Sequence, residues 1–272
     1  MTDAADFAQL TEPFRAELLA HCYRMLGSVQ DAEDQVQDTL IRAWRSYDDF
    51  EGRASLRTWL YRIATNACLR ALENRSRRAL PSGLGASSGS PDGPLAGGHE
   101  VPWLEPIPDA RTQAGLADPA SVVASRAGLR LAFVAALQYL PARQRALLDQ
   151  YVAAFENADA SALSRLLARD AVFEMPPLLT WFTGRDRIGR FLGTRVLGQP
   201  GDFKLLPVTA NGQPGFAGYR RGRDGIRRAH AVQVLSVSGG AIARIVSFNQ
   251  PDLFRVFDLP QTLPGEDMKR PA

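Results

Sequence analysis

The fold of the first part of the chain is decided by DAEDQVQDTLIRAW, residues 31–44, and by FEGRASLRTWLYRIATNACL, residues 50–69. In both blocks apolar residues recur at intervals of three and four with almost no alternation, which predicts two amphipathic helices. Gly27 and Ser28 precede the first block, where a left-handed glycine and a serine paired with Asp31 would end one helix and start the next. We therefore predict an all-helical first domain.

The first of these helices carries acidic side chains along one side. Asp31, Asp34 and Asp38 follow one another at i, i+3 and i+7. The opposite, apolar face consists of Ala32, Val36, Leu40, Ala43 and Trp44. By spacing alone, the acidic stripe is best explained as a solvated face, because the helix dipole favours acidic residues near a helix N-terminus.

The second helix, predicted over residues 56–73, carries a cationic strip instead. This strip consists of Arg62, Asn66 and Arg70, at successive i+4 steps. Trp59, Tyr61 and the turn at residues 50–53 are its neighbours in sequence, so cations, stacking rings and an amide occur together, as in proteins that bind single-stranded nucleic acid. The alternative, in which the rings belong to the core and the arginines only solvate a helix end, is about equally well supported.

Taken together, the two blocks closely resemble region two of the extracytoplasmic-function sigma factors of the sigma-70 family. In that family the acidic helix docks on the clamp helices of the largest RNA polymerase subunit. The resemblance gives this role to Asp31, Glu33, Asp34 and Asp38. It also implies that the following loop and helix melt the minus-ten promoter element and hold a flipped base, a step that costs a few kcal/mol and so needs a preformed pocket.

The resemblance implies a residue set for that DNA site. The base pocket would be lined by Phe50, Gly52, Arg53 and Ser55. Asn66 would contact the base, and Arg62 and Arg70 would contact the backbone. With Trp59 and Tyr61 as the stacking rings, these residues form the predicted DNA-binding site within a helical domain over residues 1–80.

A change of composition follows this domain. The stretch PSGLGASSGSPDGPLAGG, residues 81–98, buries too little surface to offset the entropy of ordering, so we predict a flexible linker over 81–118. VPWLEPIPDA, residues 101–110, and the helical pattern that follows it resemble the linker and the first helix of region four in sigma factors with a C-terminal extension. We predict a remnant of that helix over residues 119–147.

The helix-turn-helix that normally reads the minus-thirty-five element is missing. In the resembled family PARQRA is followed by more helix and then by this module, which needs about 20 residues. Here nothing between Ala146 and Tyr151 can supply them. We expect impaired minus-thirty-five recognition, and because the helix at 119–139 has lost its usual partners, self-association is one expected outcome.

The last part of the chain changes to a period of two. Residues 230–235 alternate before a turn at Ser238–Gly240, and a strand over Ile242–Phe248 would complete an antiparallel hairpin. Blocks at 151–177 and 181–191 resemble the SnoaL-like cone fold, which we place over residues 148–262, with a tail at 263–272. The predicted fold class is multidomain, with an all-α N-terminal domain and an α+β, cone-shaped C-terminal domain.

The SnoaL-like resemblance implies a pocket. Its candidate lining residues are Phe173, Trp181, Phe182, Tyr219, His230 and Phe248, which are explained equally well as core. The candidate acid–base groups, Asp170, Glu174, Tyr219 and His230, form no recognisable dyad or triad, so we predict no enzymatic activity and name no ligand. Two alternatives stay open: a pocket enzyme or small-molecule sensor with a vestigial sigma fragment, and a decoy that occupies polymerase without initiating.

Other features are less specific. Asp224–Gly225 predicts a hairpin turn flanked by Arg220, Arg221, Arg223, Arg227 and Arg228, which could touch DNA or polymerase but is more simply a solvated loop. The net charge is only +3 although the sequence pI is about 9.1, so affinity for nucleic acid must come from local arginine clusters. Cys22 and Cys68 are predicted to be reduced core residues. We expect no metal, no cofactor, no membrane partner and a cytoplasmic location.

Overall fold

The computed structural model describes residues 4–73, 77–113 and 142–263. These residues form two compact units. The first contains the described residues up to 78 together with 102–113, and the second contains 79–101 together with 142–263. The chain therefore enters each unit twice, and the region between the two predicted domains is shared between them.

The first unit is helical, as predicted. Its helices are α1 (Ala4–Thr11), α2 (Arg15–Leu26), α3 (Val29–Arg45), α4 (Leu56–Glu73) and α5 (Asp109–Gln113). Gly27 has a φ of 69° and ends α2, while the Ser28 side chain accepts a hydrogen bond from the Asp31 backbone N–H at 3.3 Å. The predicted junction between α2 and α3 is confirmed, and α4 has the predicted bounds.

The core of the first unit lies between α2, α3 and α4. Its fully buried side chains include Leu18, Ala32, Leu60 and the two cysteines, Cys22 and Cys68, which are both free thiols. The prediction that both cysteines are reduced core residues is confirmed.

The second unit combines helices with one sheet. Its helices are α6 (Ala142–Glu156), α7 (Ala160–Leu166), α8 (Arg185–Phe191) and α9 (Leu253–Val256). Its strands are β1 (Leu167–Glu174), β2 (Trp181–Thr183), β3 (Phe203–Ala210), β4 (Gln213–Arg221), β5 (Arg227–Ser238), β6 (Ala241–Phe248) and β7 (Thr262–Leu263). Strand order is β2-β1-β6-β5-β4-β3, with β7 on β5, and the α+β class is confirmed.

All strand pairs of the sheet are antiparallel except β1 with β6. The predicted hairpin is confirmed, since β5 and β6 pair from Ser238 opposite Ala241. Register shifts interrupt β4–β5 at Gly218/Tyr219 and β5–β6 at Ser236/Val237. Such bulges bend a strand and increase its twist, which explains how the sheet folds around a core against α6 and α8.

The described part of the predicted flexible linker is ordered, which corrects that prediction. Residues 79–101 run along the second unit, where the Trp181 indole Nε1 donates to the Gly85 carbonyl at 3.0 Å and the Leu179 N–H to the Ala96 carbonyl at 2.8 Å. The composition of a segment indicates how much side-chain surface it can bury. It does not indicate whether the backbone of the segment forms hydrogen bonds with other parts of the fold. Those bonds hold this segment in place.

The predicted boundary at residue 148 falls inside a continuous helix. The structure begins α6 at Ala142, so the end of the predicted region-four remnant and the start of the predicted cone domain are one element. The greater part of the predicted remnant, residues 119–141, lies outside the described residues. Within the described ranges no helix is long and apolar enough to cross a membrane.

Candidate functional site

The four acidic side chains predicted on α3 are not equivalent. Asp34 is exposed, whereas Glu33 lies 2.7 Å from Arg111 Nη1, and Asp38 lies 2.7 Å from Arg42 Nε one turn further along the helix. Asp31 differs most, because only 16% of its side chain is exposed and it is paired with Arg78. The predicted uniform stripe is therefore corrected: Asp34, Glu33 and Asp38 face solvent to different degrees, and Asp31 serves an internal ion pair.

Asp34 is the first of four exposed side chains that lie in a row along α3. Asp34, Gln37, Ile41 and Trp44 follow at i, i+3, i+7 and i+10 and so share one face of the helix. Ile41 is 40% exposed and Trp44 is 46% exposed, although the sequence pattern placed Trp44 in the core. An apolar residue at the edge of an amphipathic pattern is compatible with the buried or the exposed face of the helix. Tertiary packing determines which of the two it occupies. We call this row the exposed α3 stripe.

Residues 102–113 cover the N-terminal end of α3, and we call this segment the strap. Trp103 and Ile107 anchor it in the core of the first unit, with exposures of 4% and 1%. Glu105 Oε2 accepts a hydrogen bond from the Val29 backbone N–H at 3.1 Å. Because the first N–H groups of a helix have no partner inside the helix, this carboxylate acts as an N-terminal cap supplied from far along the chain.

Arg78 ties the strap to α3. Its Nη2 donates to Asp31 Oδ2 at 2.7 Å, and its Nη1 donates to the Trp103 carbonyl at 2.8 Å and lies 3.6 Å from Glu105 Oε1. All three charged side chains are less than a quarter exposed. The Arg78 guanidinium thus holds two carboxylates of the same unit.

Aromatic rings around the start of α4 form a cluster. Phe50 and Trp59 are stacked, with centroids 4.7 Å apart and planes inclined by 30°, and both remain partly exposed. Tyr47 packs beside Phe50 at 6.2 Å and meets Phe7 edge-on at 5.1 Å. The Phe50–Trp59 pair therefore forms a half-buried corner, in which each ring is fixed by packing but keeps an accessible part.

Tyr61 points to a different neighbourhood from Trp59. The Arg57 guanidinium carbon lies 4.9 Å from the Tyr61 ring centroid, and the Tyr61 hydroxyl lies 3.5 Å from Glu17 Oε2. Burial raises the pKa of the Tyr61 hydroxyl. These contacts support the packing alternative for Tyr61 and set it apart from the residues around Phe50.

The turn between Phe50 and α4 presents its side chains to solvent. Gly52 has a φ of 67°, with no heavy atom within 4 Å of the position a Cβ would occupy. Arg53 is 85% exposed and pairs with Glu51. Ser55 Oγ accepts a hydrogen bond from the Thr58 backbone N–H at 3.2 Å, so Ser55 also acts as the N-cap of α4.

The cationic strip lies where the sequence predicts it. Arg62, Asn66 and Arg70 are all exposed on α4. The opposite side of the helix is buried through Leu60, Ala64, Ala67 and Cys68. Helix geometry thus brings the strip to the surface of the unit that also carries the Phe50–Trp59 corner.

The second unit contains a cavity of about 60 Å³. Phe173 and His230 lie in its wall, together with Gln233, Ser247 and Asn249. Part of the polar lining is engaged, since the Tyr151 hydroxyl donates to Gln233 Oε1 at 2.9 Å. Burial lowers the pKa of His230, and the nearby Arg220 lowers it further. A cavity of about 150 Å³ takes up benzene, so this space fits a few small atoms only.

The other four predicted pocket residues lie elsewhere, which corrects the predicted set. Phe182 is fully buried against Phe191, with centroids 4.6 Å apart. The Tyr219 hydroxyl donates to the Pro260 carbonyl at 2.9 Å. Phe248 and Tyr219 both belong to a cluster of buried side chains that also contains Phe254. Trp181 holds the segment 79–101 by the bond to Gly85 described above. Aromatic residues in a small α+β unit were equally compatible with the core, and here the core explains them.

The remaining acid–base candidates do not form a catalytic pair. Asp170 is exposed on β1, while Glu174 is fully buried and accepts a hydrogen bond from the Ser82 N–H at 2.9 Å. Arg244 Nε lies 2.9 Å from the other Glu174 oxygen. This buried carboxylate therefore anchors residues 79–101 on the sheet. Across the described ranges, no group of three or more His, Cys, Asp or Glu side chains is arranged to hold a metal ion.

Comparisons with known proteins agree with this division. The family model for sigma-70 region 2 matches residues 10–78, and the model for the SnoaL-like domain matches residues 148–245. The chain is 40% identical over 317 residues to the "ECF RNA polymerase sigma factor SigG" of Mycobacterium tuberculosis (strain ATCC 25618 / H37Rv), covering 95% of this chain and 85% of that one. It is 39% identical over 79 residues to the "ECF RNA polymerase sigma factor SigW" of Bacillus subtilis (strain 168), covering 29% and 40%.

Among solved structures, the crystal structure of the Mycobacterium tuberculosis extracytoplasmic function sigma factor SigJ has a TM-score of 0.56 and 20% identity, covering 93% of this chain and 99% of that one. This likeness shows the fold. The alignment with the SigG protein spans 317 positions but includes only about 258 residues of this chain, 95% of 272, so about 59 positions in total have no residue of this chain.

Proposed function

The chain belongs to the extracytoplasmic-function RNA polymerase sigma factors, and we propose that its first unit docks on core polymerase and holds the unpaired minus-ten strand. We propose further that the chain lacks the standard module for the minus-thirty-five element. The chain is thus a transcription initiation factor whose recognition of the promoter rests on one DNA site instead of two.

The observation that carries the docking proposal is the exposed α3 stripe. Asp34 is exposed and makes no ion pair within the described part of the unit, while Ile41 and Trp44 leave a large apolar area in water. A 3–4–3 spacing of partly apolar residues is the pattern with which one helix packs along another. Exposed tryptophan is also among the residues that contribute most at protein interfaces. The partner we assign to this stripe is the clamp helices of the largest polymerase subunit.

The proposed DNA site lies on α4 and the turn before it. Arg62 and Arg70 provide cations for a phosphate chain, and Asn66 lies between them with an amide that can hydrogen-bond a base edge. The stacked Phe50–Trp59 corner supplies a fixed ring surface next to the exposed turn of Gly52, Arg53 and Ser55. A preformed corner lowers the cost of holding an extruded base, because the rings are already ordered.

Two observations support the absence of a minus-thirty-five module. Residues 142–156 are one uninterrupted helix, so no turn between two short helices occurs at the place where PARQRA leads into the second unit. About 59 positions of the alignment with the SigG protein have no counterpart here, which is ample for a helix-turn-helix of about 20 residues and its supporting helix.

The alternative, a pocket enzyme or small-molecule sensor, has less support. The cavity that contains His230 is small, and the acidic candidates Asp170 and Glu174 do not pair with this imidazole. We propose a regulatory part for the second unit, in which any ligand of the cavity that contains His230 is limited to a few non-hydrogen atoms. The predicted self-association stays a prediction, and sedimentation velocity of the full chain at several concentrations will test it.

The experiment compares two promoters that differ only in pairing. Core polymerase and the full chain are mixed with a duplex promoter or with the same promoter mismatched across the minus-ten element, and productive opening is detected by the transcripts that start at the promoter. We expect core binding with both, and opening on the pre-melted template only. Strong opening on the duplex that depends on the minus-thirty-five sequence would contradict the proposal, and binding without opening on either template would identify a decoy.

A further inference from the structure

The loop between β4 and β5 concentrates positive charge at one end of the sheet. Five of the nine residues in RRGRDGIRR, 220–228, are arginine. In the strand register Arg220 lies opposite Arg228 and Arg221 lies opposite Arg227. Like charges placed directly opposite each other destabilise a strand pair. Hairpin stability therefore does not explain why these positions are arginine.

The acidic residue of this segment neutralises one arginine. Arg228 makes two bonds to Asp224, at 2.9 and 2.6 Å, and this hydrogen-bonded pairing lowers the pKa of Asp224 to about 2. Nearby, a side-chain oxygen of Asp202 accepts from the Gln199 backbone N–H at 2.8 Å. Four guanidinium groups of the hairpin thus have no carboxylate partner among the residues that the structure describes.

The surroundings of these four arginines differ. Arg220 lies over the Phe203 ring at 5.8 Å, and Arg221 and Arg223 are exposed. Arg227 is only 8% exposed, donates from Nη2 to the Gly201 carbonyl at 3.2 Å, and has no acceptor for its Nε in the described part of the chain. A poorly solvated cation is costly unless a counter-charge is near, and a backbone carbonyl carries no net charge. Arg220, Arg221 and Arg223 are exposed and have no carboxylate partner among the described residues, so they are free to bind an anion in solution.

We infer that the arginine hairpin, residues 220–228, binds the phosphate backbone of duplex DNA without regard to base sequence. Guanidinium groups match phosphate oxygens in a two-pronged geometry, and several of them along one hairpin suit a polymer of phosphates better than a single ion. Single-stranded nucleic acid would need exposed rings for stacking, but the aromatic ring beside these arginines, Phe203, is 3% exposed. A duplex presents its charge outside and needs no such ring.

The inference is independent of the minus-ten site. A backbone contact of this kind adds affinity for DNA of any sequence, so it would hold promoter DNA near the second unit of a chain that has no helix-turn-helix between Ala142 and Glu156. It would supply position and affinity, whereas specificity would remain with the first unit.

The test measures binding of a fluorescein-labelled duplex of random sequence by anisotropy over a salt series, with the full chain. In the test variant, Arg220, Arg221 and Arg223 are each replaced by Gln. In the matched control, Arg165, Arg169 and Arg187 are each replaced by Gln, which removes the same charge from exposed positions of the same unit. If the triple test variant loses its cooperative thermal transition, Arg221→Gln and Arg223→Gln alone take its place.

We expect the test variant to bind the duplex about 10-fold more weakly in low salt, and the slope of log affinity against log salt to be shallower by about 2 to 3. The control should keep the wild-type slope. Equal slopes for both variants would overturn the inference. Unchanged duplex binding with weakened core polymerase binding would also overturn it, in favour of an acidic protein surface as the partner.

Discussion

Arg111 Nη1 of the strap lies 2.7 Å from Glu33 Oε1 of α3, so an arginine of the chain itself neutralises a carboxylate on the helix that we assign to polymerase docking. Arg78 likewise neutralises Asp31, a second carboxylate of α3, at 2.7 Å. The two ion pairs differ in burial, and this difference separates their expected roles. The Arg111 pair is accessible to solvent, whereas the Arg78 pair is less than a fifth exposed.

Replacing Arg111 by Ala should strengthen binding to core polymerase. The change frees Glu33 for the partner, and because an exposed ion pair is worth about 0.2 to 1 kcal/mol, the gain should be about 1.4- to 5-fold in Kd. Biolayer interferometry with immobilised core polymerase measures it. Arg57→Ala, which frees Glu17 on α2, is the matched control and should leave the Kd unchanged. A loss of affinity in Arg111→Ala would mean that the strap itself belongs to the interface.

Replacing Arg78 by Met should destabilise the first unit. Asp31 and Glu105 would then share a poorly exposed region without a counter-charge, at an expected cost of about 1 to 3 kcal/mol in unfolding free energy. Urea unfolding followed by tryptophan fluorescence measures this cost. Arg77→Met removes the same charge from the exposed neighbouring position and should change the unfolding free energy by less than about 0.5 kcal/mol.

Replacing Trp44 by Ala should separate stability from docking. The side chain is 46% exposed, so its loss should hardly change the thermal midpoint. As a central contact, Trp44 should contribute about 2 kcal/mol or more to the binding free energy. Its removal should therefore raise the Kd for core polymerase about 30-fold. Leu69→Ala, at a residue 48% exposed on α4, is the control. A Trp44→Ala chain that unfolds early and binds normally would place Trp44 in the core after all.

The stability of the second unit should fall between neutral pH and moderately acid pH. Burial, and then Arg220, lowers the pKa of His230 below its unfolded value, so the unfolded chain takes up a proton first as the pH falls. The contribution of His230 is complete above the unfolded pKa of about 6.5 and is lost as the pH falls towards the lower folded pKa. The thermal midpoint of His230→Gln should depend less on pH between 7 and 5 than that of wild type.

His99→Gln is the control for this pH series, since His99 is exposed. Its profile should match the wild type. Burial also lowers the pKa of His21 in the first unit, so a residual pH dependence should remain in His230→Gln. If the thermal midpoint fell by the same amount in His230→Gln and wild type over this range, the His230 imidazole would not be the group that titrates.

The features that could be predicted from the sequence are those that local chemistry decides. Gly27 and Ser28 mark the junction of α2 and α3 because a left-handed glycine and a side-chain cap act within one turn. Ser238–Gly240 marks the β5–β6 hairpin for the same reason. The bounds of α4 follow from its 3.6-residue period, and the placement of Arg62, Asn66 and Arg70 on its surface follows with them.

The features that the sequence could not predict depend on contacts between distant residues. Nothing near Asp31 in sequence indicates that Arg78, 47 positions later, withdraws it from the acidic stripe. Trp44 fits the apolar face of α3 by periodicity, but the core ends before it. The segment 81–98 has the composition of a flexible linker, but backbone groups of 85, 96 and 98 bond to residues 177–181 of the second unit. The composition of the segment does not indicate these hydrogen-bond partners.

The central claim, that the exposed α3 stripe is the docking surface, is tested most directly by the Kd of the full chain for core polymerase in the absence of DNA. Asp34→Lys reverses one exposed charge at the centre of this claim, and Asp48→Lys does the same at an exposed position beyond the end of α3. We predict that Asp34→Lys loses detectable binding while Asp48→Lys binds like wild type. Equal Kd values for wild type and Asp34→Lys would contradict the account.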